Sequence, residues 1–210
     1  MTGPRARAGA GPERQEPRLV LASGSPRRRQ LLEILGIPCR VVASGLDERQ
    51  LPDEAAADFA LRASRDKALA VAGGGCDLPV LGADTVVEVD GGALGKPRDA
   101  DEAFAMLRRL AGRTHHVHTG VALAIGSRCE ALVDTAAVRF LALDDATIRW
   151  YVGTGEPLDK AGAYAVQGSG GLLVEGVEGS PSTVVGLPIQ RLPELFARCG
   201  LDFWELIRRP

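Results

Sequence analysis

Three consecutive arginines, Arg27, Arg28 and Arg29, follow Ser23-Gly24-Ser25-Pro26 where an apolar run, Leu19 to Ala22, gives way to a helical pattern. Ser25 suits an N-cap and Pro26 the first helical position, so the unpaired N–H groups of that first turn face the preceding loop. Such an end binds anions. A helix N-terminus favours acidic groups by about 0.3–1 kcal/mol each, yet these arginines oppose the dipole and repel one another. A phosphate chain removes both penalties, with the Ser23 and Ser25 hydroxyls as further donors. The plainer alternative is a solvated basic helix end. A second chemically loaded residue, Asp84, stands in the middle of Pro79 to Val89, the most apolar strand of the chain. A carboxylate there is costly unless it holds a metal, a cation or several donors; the competing reading is an aspartate bonded to local backbone at a bulge. Its neighbour Thr85 faces the opposite side of a regular strand.

Other candidates are weaker by themselves. Asp47 and Glu48 lie just past a strand end, where α/β folds keep their sites, although an acidic pair in a loop is usually solvated. Lys67 lies on an alanine-rich helix, where a lone lysine is ordinarily at the surface. Lys96 follows the Asp90-Gly91-Gly92 turn and returns near the level of Asp84 on the partner strand. Lys160 and Gln167 belong to a glycine-rich, polar stretch, Thr154 to Gly168, that reads as a site loop leading into a strand. A nearly buried glutamine amide there could read a nucleobase edge or bond to backbone at the strand end. His115, His116 and His118 are close together, with His116 and His118 on one face of a strand, but no motif supplies the further ligands a zinc site needs.

The elements that position these residues follow from turn and cap signals. The first strand and a helix from Pro26 to Leu35, ended by Gly36, precede a strand at Cys39 to Ala43. A helix spans Glu54 to Ala72 and is stopped by Gly73-Gly74-Gly75. Asp99 and Glu102 form a near capping box for a helix to Leu110. Two long strands, His116 to Ile125 and Cys129 to Phe140, make a meander. A helix capped by Asp144 runs to Val152, a strand covers Leu172 to Val177, and a helix from Pro188 to Arg198 and the segment Leu201 to Ile207 close the chain.

The 210 residues, 45% hydrophobic and 25% charged, are enough for one sizeable core. A net charge of −2 gives no general attraction to nucleic acid or acidic membranes. Aromatics at 4% do not interleave with basic residues as in single-strand binders. The apolar runs are too short to span a membrane. Cys39, Cys76, Cys129 and Cys199 form no CxxC pair and are read as reduced, mostly buried thiols. These features predict a soluble, cytoplasmic α/β protein with no nucleic-acid or membrane partner. Residues 1–17 are expected to be a flexible N-terminal extension, and 18–210 a single domain.

Taken together, Ser23-Gly24-Ser25-Pro26-Arg27-Arg28, Leu81-Gly82-Ala83-Asp84-Thr85, Gly95-Lys96-Pro97, Thr119-Gly120-Val121, Glu156 to Gly162, Gln167-Gly168 and Val185-Gly186-Leu187-Pro188 resemble the Maf family of nucleoside triphosphate pyrophosphatases. The resemblance implies an elongated α/β fold of the inosine-triphosphatase type, with a mixed, twisted sheet, flanking helices and two lobes around a cleft, commonly as a homodimer. It implies hydrolysis of a nucleoside triphosphate to monophosphate and pyrophosphate with Mg²⁺ or Mn²⁺. By position, Asp84 matches the family's catalytic proton acceptor close to the metal, and Glu48 a second acid and metal ligand. Ser23, Arg28, Lys67, Lys96 and Lys160 match its phosphate-binding set. Arg27, Thr85 and Gln167 match the branch that prefers dTTP and UTP, rather than the 7-methyl-GTP branch; a non-catalytic nucleotide-binding regulator of septum formation is the reading from another class. One departure stands out. Members carry Gly-Asp-Tyr ahead of the last motif where this chain has Gly179-Ser180-Pro181-Ser182-Thr183, a change that bears on base stacking or loop closure.

Overall fold

A computed structural model describes residues 16–207. The extension expected over 1–17 lies, for residues 1–15, outside the described residues. In chain order the elements are β1 (Leu19–Ala22), α1 (Pro26–Ile34), β2 (Cys39–Val41), α2 (Ala56–Ala72), β3 (Val80–Val89), β4 (Gly92–Leu94) and α3 (Ala100–Leu110). There follow β5 (Thr114–Ile125), β6 (Arg128–Phe140), α4 (Asp145–Gly153), β7 (Val174–Glu178), α5 (Pro181–Val185), α6 (Leu192–Arg198) and α7 (Phe203–Ile207). Among the described residues no helix is long and apolar enough to cross a membrane.

The strands form one mixed sheet in the order β2-β1-β3-β5-β6-β7, with β4 on the free end of β3. β1 pairs in parallel with β2 and β3; every other pairing is antiparallel. The expected mixed sheet with flanking helices is therefore present. Parallel strands buried on both faces need continuous apolar runs, and Leu19, Val20, Leu21 and Ala22 are all fully buried.

Alternation along β3 separates two environments. Val80 and Val86 join α2 and its alanines on one face of the sheet. On the other face Leu81 and Ala83 belong to a core built with α1, α6 and α7, and Val87 and Val89 to a second core with α3 and α4. Thr85 falls between the two. Apolar packing is thus interrupted midway along β3, and the cleft opens at the interruption.

Helix α2 lies directly on the sheet because Gly82 and Gly120 have no side chain. A Cβ at Gly82 would stand 2.2 Å from the Ser64 carbonyl oxygen, and one at Gly120 2.1 Å from that of Ala60. This is close backbone approach of the kind that glycine permits.

Several expected boundaries move. Ser25 has the extended backbone of an N-cap but its side chain makes no capping bond; its N–H instead donates to Ser23 Oγ at 3.3 Å. Asp99 does accept from Glu102 N, at 2.8 Å, while the Glu102 carboxylate reaches Arg98 N rather than Asp99 N, so the capping box is only half made. The stretch after α4 does not lead into a strand. It folds as short 3₁₀ turns, Glu156–Asp159, Ala161–Ala163 and Ser169–Leu173, because Gly162 and Ala163 both take positive φ and turn the chain. Helix α5, formed by the atypical Pro181 to Val185, was not foreseen; Pro at its first position starts it and Gly186 at φ +113° ends it. Three of the cysteines, expected to be mostly buried, are only partly covered, and Cys199 alone of the four is buried; all four are free thiols.

Candidate active site

The cleft has a volume of about 430 Å³, within the range of small-molecule sites, and is lined from β1, α1, the 43–48 loop, α2, β3 and the 159–167 turns. Ser23, Arg27, Arg28, Glu48, Lys67, Asp84, Thr85, Lys96, Lys160 and Gln167 all line it, whereas Arg29, Asp47 and the three histidines do not.

At its foot Lys67 Nζ stands 2.7 Å from Asp84 Oδ1 and 2.7 Å from Glu48 Oε2. The expectation that this lysine is an ordinary surface residue fails, since it is 7% exposed. The cause is α2, whose backbone is drawn onto Gly82 and Gly120; Gly120 pairs with Asp84 across β3 and β5, so the helix delivers Lys67 to that carboxylate. The 43–48 loop supplies the second acid. Burial lifts the Glu48 carboxyl above its ordinary value, against the pull of Lys67.

Thr85 faces the other way, as alternation requires. Its Oγ1 lies 3.0 Å from Thr119 Oγ1, its register partner on β5, and accepts from Arg28 Nη2 at 3.0 Å. Arg28 is 8% exposed, and burial pushes its guanidinium below the ordinary value while Asp84 opposes this. The cost of burying it is offset by three bonds: Nη1 to Ser23 Oγ at 2.8 Å, Nη2 to Thr85, and Nε to the Gly186 carbonyl at 2.7 Å. Ser23 Oγ thus accepts twice, from Arg28 and Ser25, and its O–H hydrogen points to no partner among the described residues. The carbonyl of Gly186 and the hydroxyl of Thr119 were missed as supports. Their only signal in sequence is membership of Thr119-Gly120-Val121 and Val185-Gly186-Leu187-Pro188.

Cations also line the rim. The Arg27 side chain is 30% exposed and Lys96 is open to solvent. Pairing of β4 with β3 ends at Leu94 opposite Val87, so Lys96 lies beyond the ladder. Lys160 Nζ donates to the Glu156 carbonyl at 2.9 Å and pairs with Asp159. Arg27 Nη1 is 3.9 Å from the same Asp159, across the mouth from α1 to the 156–159 turn. That carboxylate, held below its ordinary value by Lys160, occupies the cations in the manner of an anionic ligand.

Gln167 corrects an expectation. Rather than a nearly buried strand residue it is exposed, on a turn, because the glycines around it bend the chain. Its amide makes no hydrogen bond among the described residues, so it is available to a ligand in the cleft. His115 and His118 are buried, each bonded within the fold, His115 to Tyr164 and His118 to Glu88 and Thr135. No group of three or more His, Cys, Asp or Glu arranged for a metal occurs among the described residues. Glu48 and Asp84 converge on one cationic centre, however, and two carboxylates are the donor set from which Mg²⁺ is held when phosphates and waters complete its shell.

The family model described as "Maf-like protein" matches residues 18–199. A dTTP/UTP pyrophosphatase of Anaeromyxobacter dehalogenans (strain 2CP-1) is 55% identical over 195 residues, covering 90% of this chain and 98% of that protein. The dTTP/UTP pyrophosphatases of Myxococcus xanthus (strain DK1622) and Escherichia coli O157:H7 are 55% and 48% identical, over 87% and 85% of this chain and 93% and 91% of theirs. Among solved structures, a HAM1 protein from Coxiella burnetii aligns with a TM-score of 0.40 at 13% identity, over 60% of this chain and 73% of that one.

Proposed function

This chain belongs to the Maf-like protein family, and from that premise we propose that it is a nucleoside triphosphate pyrophosphatase acting on dTTP and UTP, releasing the monophosphate and pyrophosphate. The observation that carries the reading is the convergence of Glu48 and Asp84 on Lys67 at the foot of a cleft rimmed by Arg27, Lys96 and Lys160. Hydrolysis of a phosphoanhydride is chiefly a matter of positioning and of stabilising charge on phosphate oxygens. The cations of the rim do this for the triphosphate, displacing Asp159 from Arg27 and Lys160. The unspent hydroxyl of Ser23 donates to a phosphate oxygen, and Arg28, fixed by its three bonds, adds charge and its remaining N–H groups.

Asp84 is the general base. It takes a proton from the attacking water as the water oxygen bonds to phosphorus and the anhydride bond between the α and β phosphates breaks. Lys67 orients its carboxylate. Glu48 and Asp84 would hold a divalent cation, Mg²⁺ or Mn²⁺, which when bound withdraws charge from the phosphate oxygens. Gln167, with its free amide, reads the pyrimidine edge, since one group both donates and accepts. Thr85 bears on the choice of base through the fixed positions of Arg28 and Thr119 rather than through a free hydroxyl.

The test is pyrophosphate release with Mg²⁺ or Mn²⁺ from dTTP, UTP, CTP, 7-methyl-GTP and the purine triphosphates, with Asp84→Asn alongside. Turnover of dTTP and UTP above the others, lowered about 100-fold or more in Asp84→Asn, is the expected result. No release from dTTP or UTP, or preference for 7-methyl-GTP, overturns it.

A further inference from the structure

The segment that carries Gln167 is fastened on both sides to one pair of residues outside the ligand-facing set. Ahead of it, the N–H of Ala165 donates to Tyr151 Oη at 3.2 Å. Behind it, the N–H groups of Ser169 and Gly170 donate to Glu156 at 3.0 and 3.1 Å. The two anchors are themselves joined, Tyr151 Oη donating to Glu156 Oε1 at 2.8 Å. Tyr151 is fully buried on α4, so its hydroxyl is a fixed post. Glu156 is partly buried. Burial alone would raise its carboxyl, yet the Tyr151 hydroxyl and the two N–H donors hold it below its ordinary value.

The chain is also shaped to the pair. A Cβ on Gly168 would meet Glu156 Oε2 at 2.5 Å, and one on Gly170 would meet Tyr151 Oη at 2.5 Å. Gly168, next to Gln167, and Gly170 beyond it thus make room for the clamp. The carbonyl of the same Glu156 accepts from Lys160 Nζ at 2.9 Å. Glu156 therefore meets Lys160 through its carbonyl and the turn of Gln167 through its carboxylate, directly and by way of Tyr151.

We propose that Glu156 and Tyr151 are positioning residues for substrate choice: they hold Gln167 at a fixed distance from Lys160 and so measure the base against the phosphates. The inference rests on the proposed assignment of Gln167 to the base and Lys160 to the phosphates. A clamp of this kind confers selectivity by preorganisation, because a purine, with its larger ring, needs the turn to move.

The test uses full-length protein and the variants Tyr151→Phe and Glu156→Gln. The first removes only the hydroxyl; the second keeps the shape and loses the acceptor charge, and serves if the first fails to fold. Binding of α,β-methylene-dTTP and α,β-methylene-dGTP, which cannot be cleaved at that anhydride, is measured by titration calorimetry, together with kcat and KM for dTTP and thermal unfolding. Expected is a fall of about fivefold to tenfold in the preference for the thymine analogue, the range for loss of one hydrogen bond, with KM for dTTP raised and kcat changed less than twofold. A lowered unfolding temperature with the preference unchanged, or a wild type that binds both analogues equally, overturns the inference. A wild type that shows the analogue preference but does not hydrolyse dTTP overturns the proposed activity and leaves the clamp standing.

Discussion

Arg28 Nε donates to the Gly186 carbonyl at 2.7 Å, tying the first helix of the chain to the end of α5, 158 residues later. Gly186 can offer that oxygen because it takes φ +113°, and a Cβ there would also lie 3.1 Å from Thr85 Oγ1. The altered Ser180-Pro181-Ser182 stretch is thereby part of the arginine's support: Ser182 Oγ and Ser180 Oγ both meet Gln190 Oε1 at 3.0 Å and hold the start of α5.

Replacing Arg28 by lysine keeps the charge and loses the planar fork. One ammonium cannot reach Ser23, Thr85 and Gly186 in the same geometry, so at least one buried acceptor is left unmatched. The Arg28→Lys variant is expected to lose about 2 kcal/mol of stability in urea unfolding, and to lose turnover of dTTP as well. Stability equal to the wild type would show that the tie to Gly186 contributes nothing.

Gly82→Ala and Gly120→Ala both drive a methyl group into the backbone of α2. Overpacking of this kind costs about 1–3 kcal/mol or more where backbone must move. Because α2 carries Lys67, activity should fall further than stability alone explains at temperatures where each variant remains folded. Thermal unfolding and kcat/KM measured on one preparation separate the two effects.

Lys67→Met leaves Glu48 and Asp84 facing each other with no cation between them. Removing one partner of a buried ion pair costs about 3–5 kcal/mol, and the loss should be largest at pH 7. Glu48 is already raised above its unfolded value by burial. In the variant the folded state therefore takes up protons before the unfolded state as pH falls, and stability relative to wild type recovers toward pH 5. Unfolding midpoints at pH 7 and pH 5 test this; a deficit that does not change with pH counts against it.

His115 should leave a signature in acid. It is fully buried with Nε2 2.8 Å from the Tyr164 hydroxyl, and burial pushes its pKa from 6.5 down to about 4. Between those values the unfolded chain binds the proton and the folded chain does not, so stability rises with pH across that window and is lost as pH falls through it. The contribution is on the order of 3 kcal/mol. The fall in unfolding temperature from pH 7 to pH 4.5 should be shallower in His115→Gln than in the wild type.

Local chemistry made much of the frame legible. Asp90-Gly91-Gly92 turned β3 into β4, Asp144 capped α4 by accepting from Thr147 N at 2.8 Å, and Gly36 ended the first helix at φ +69°. The resemblance carried the cleft residues, all of which line one cavity. What escaped was set by tertiary contact. Nothing in the alanine-rich helix around Lys67 marks it as buried, because its burial depends on two glycines in other strands. The 154–168 stretch reads as a loop leading into a strand because the nearly apolar run Ala163 to Val166 precedes Gln167. Its turns come instead from positive φ at Gly162 and Ala163 and from a buried tyrosine contributed by the preceding helix.

The break in packing at Thr85 bears on how such a chain can change over generations. The two half-cores share one face of β3 and lie toward its two ends, so the side chain at the interruption, Thr85, belongs to neither. Substitutions that redirect substrate choice should therefore be cheap in stability at the exposed Gln167, and expensive at Val87, which is buried in the second half-core, at Gly82 or Gly120, which seat α2, or at Arg28 with its three bonds.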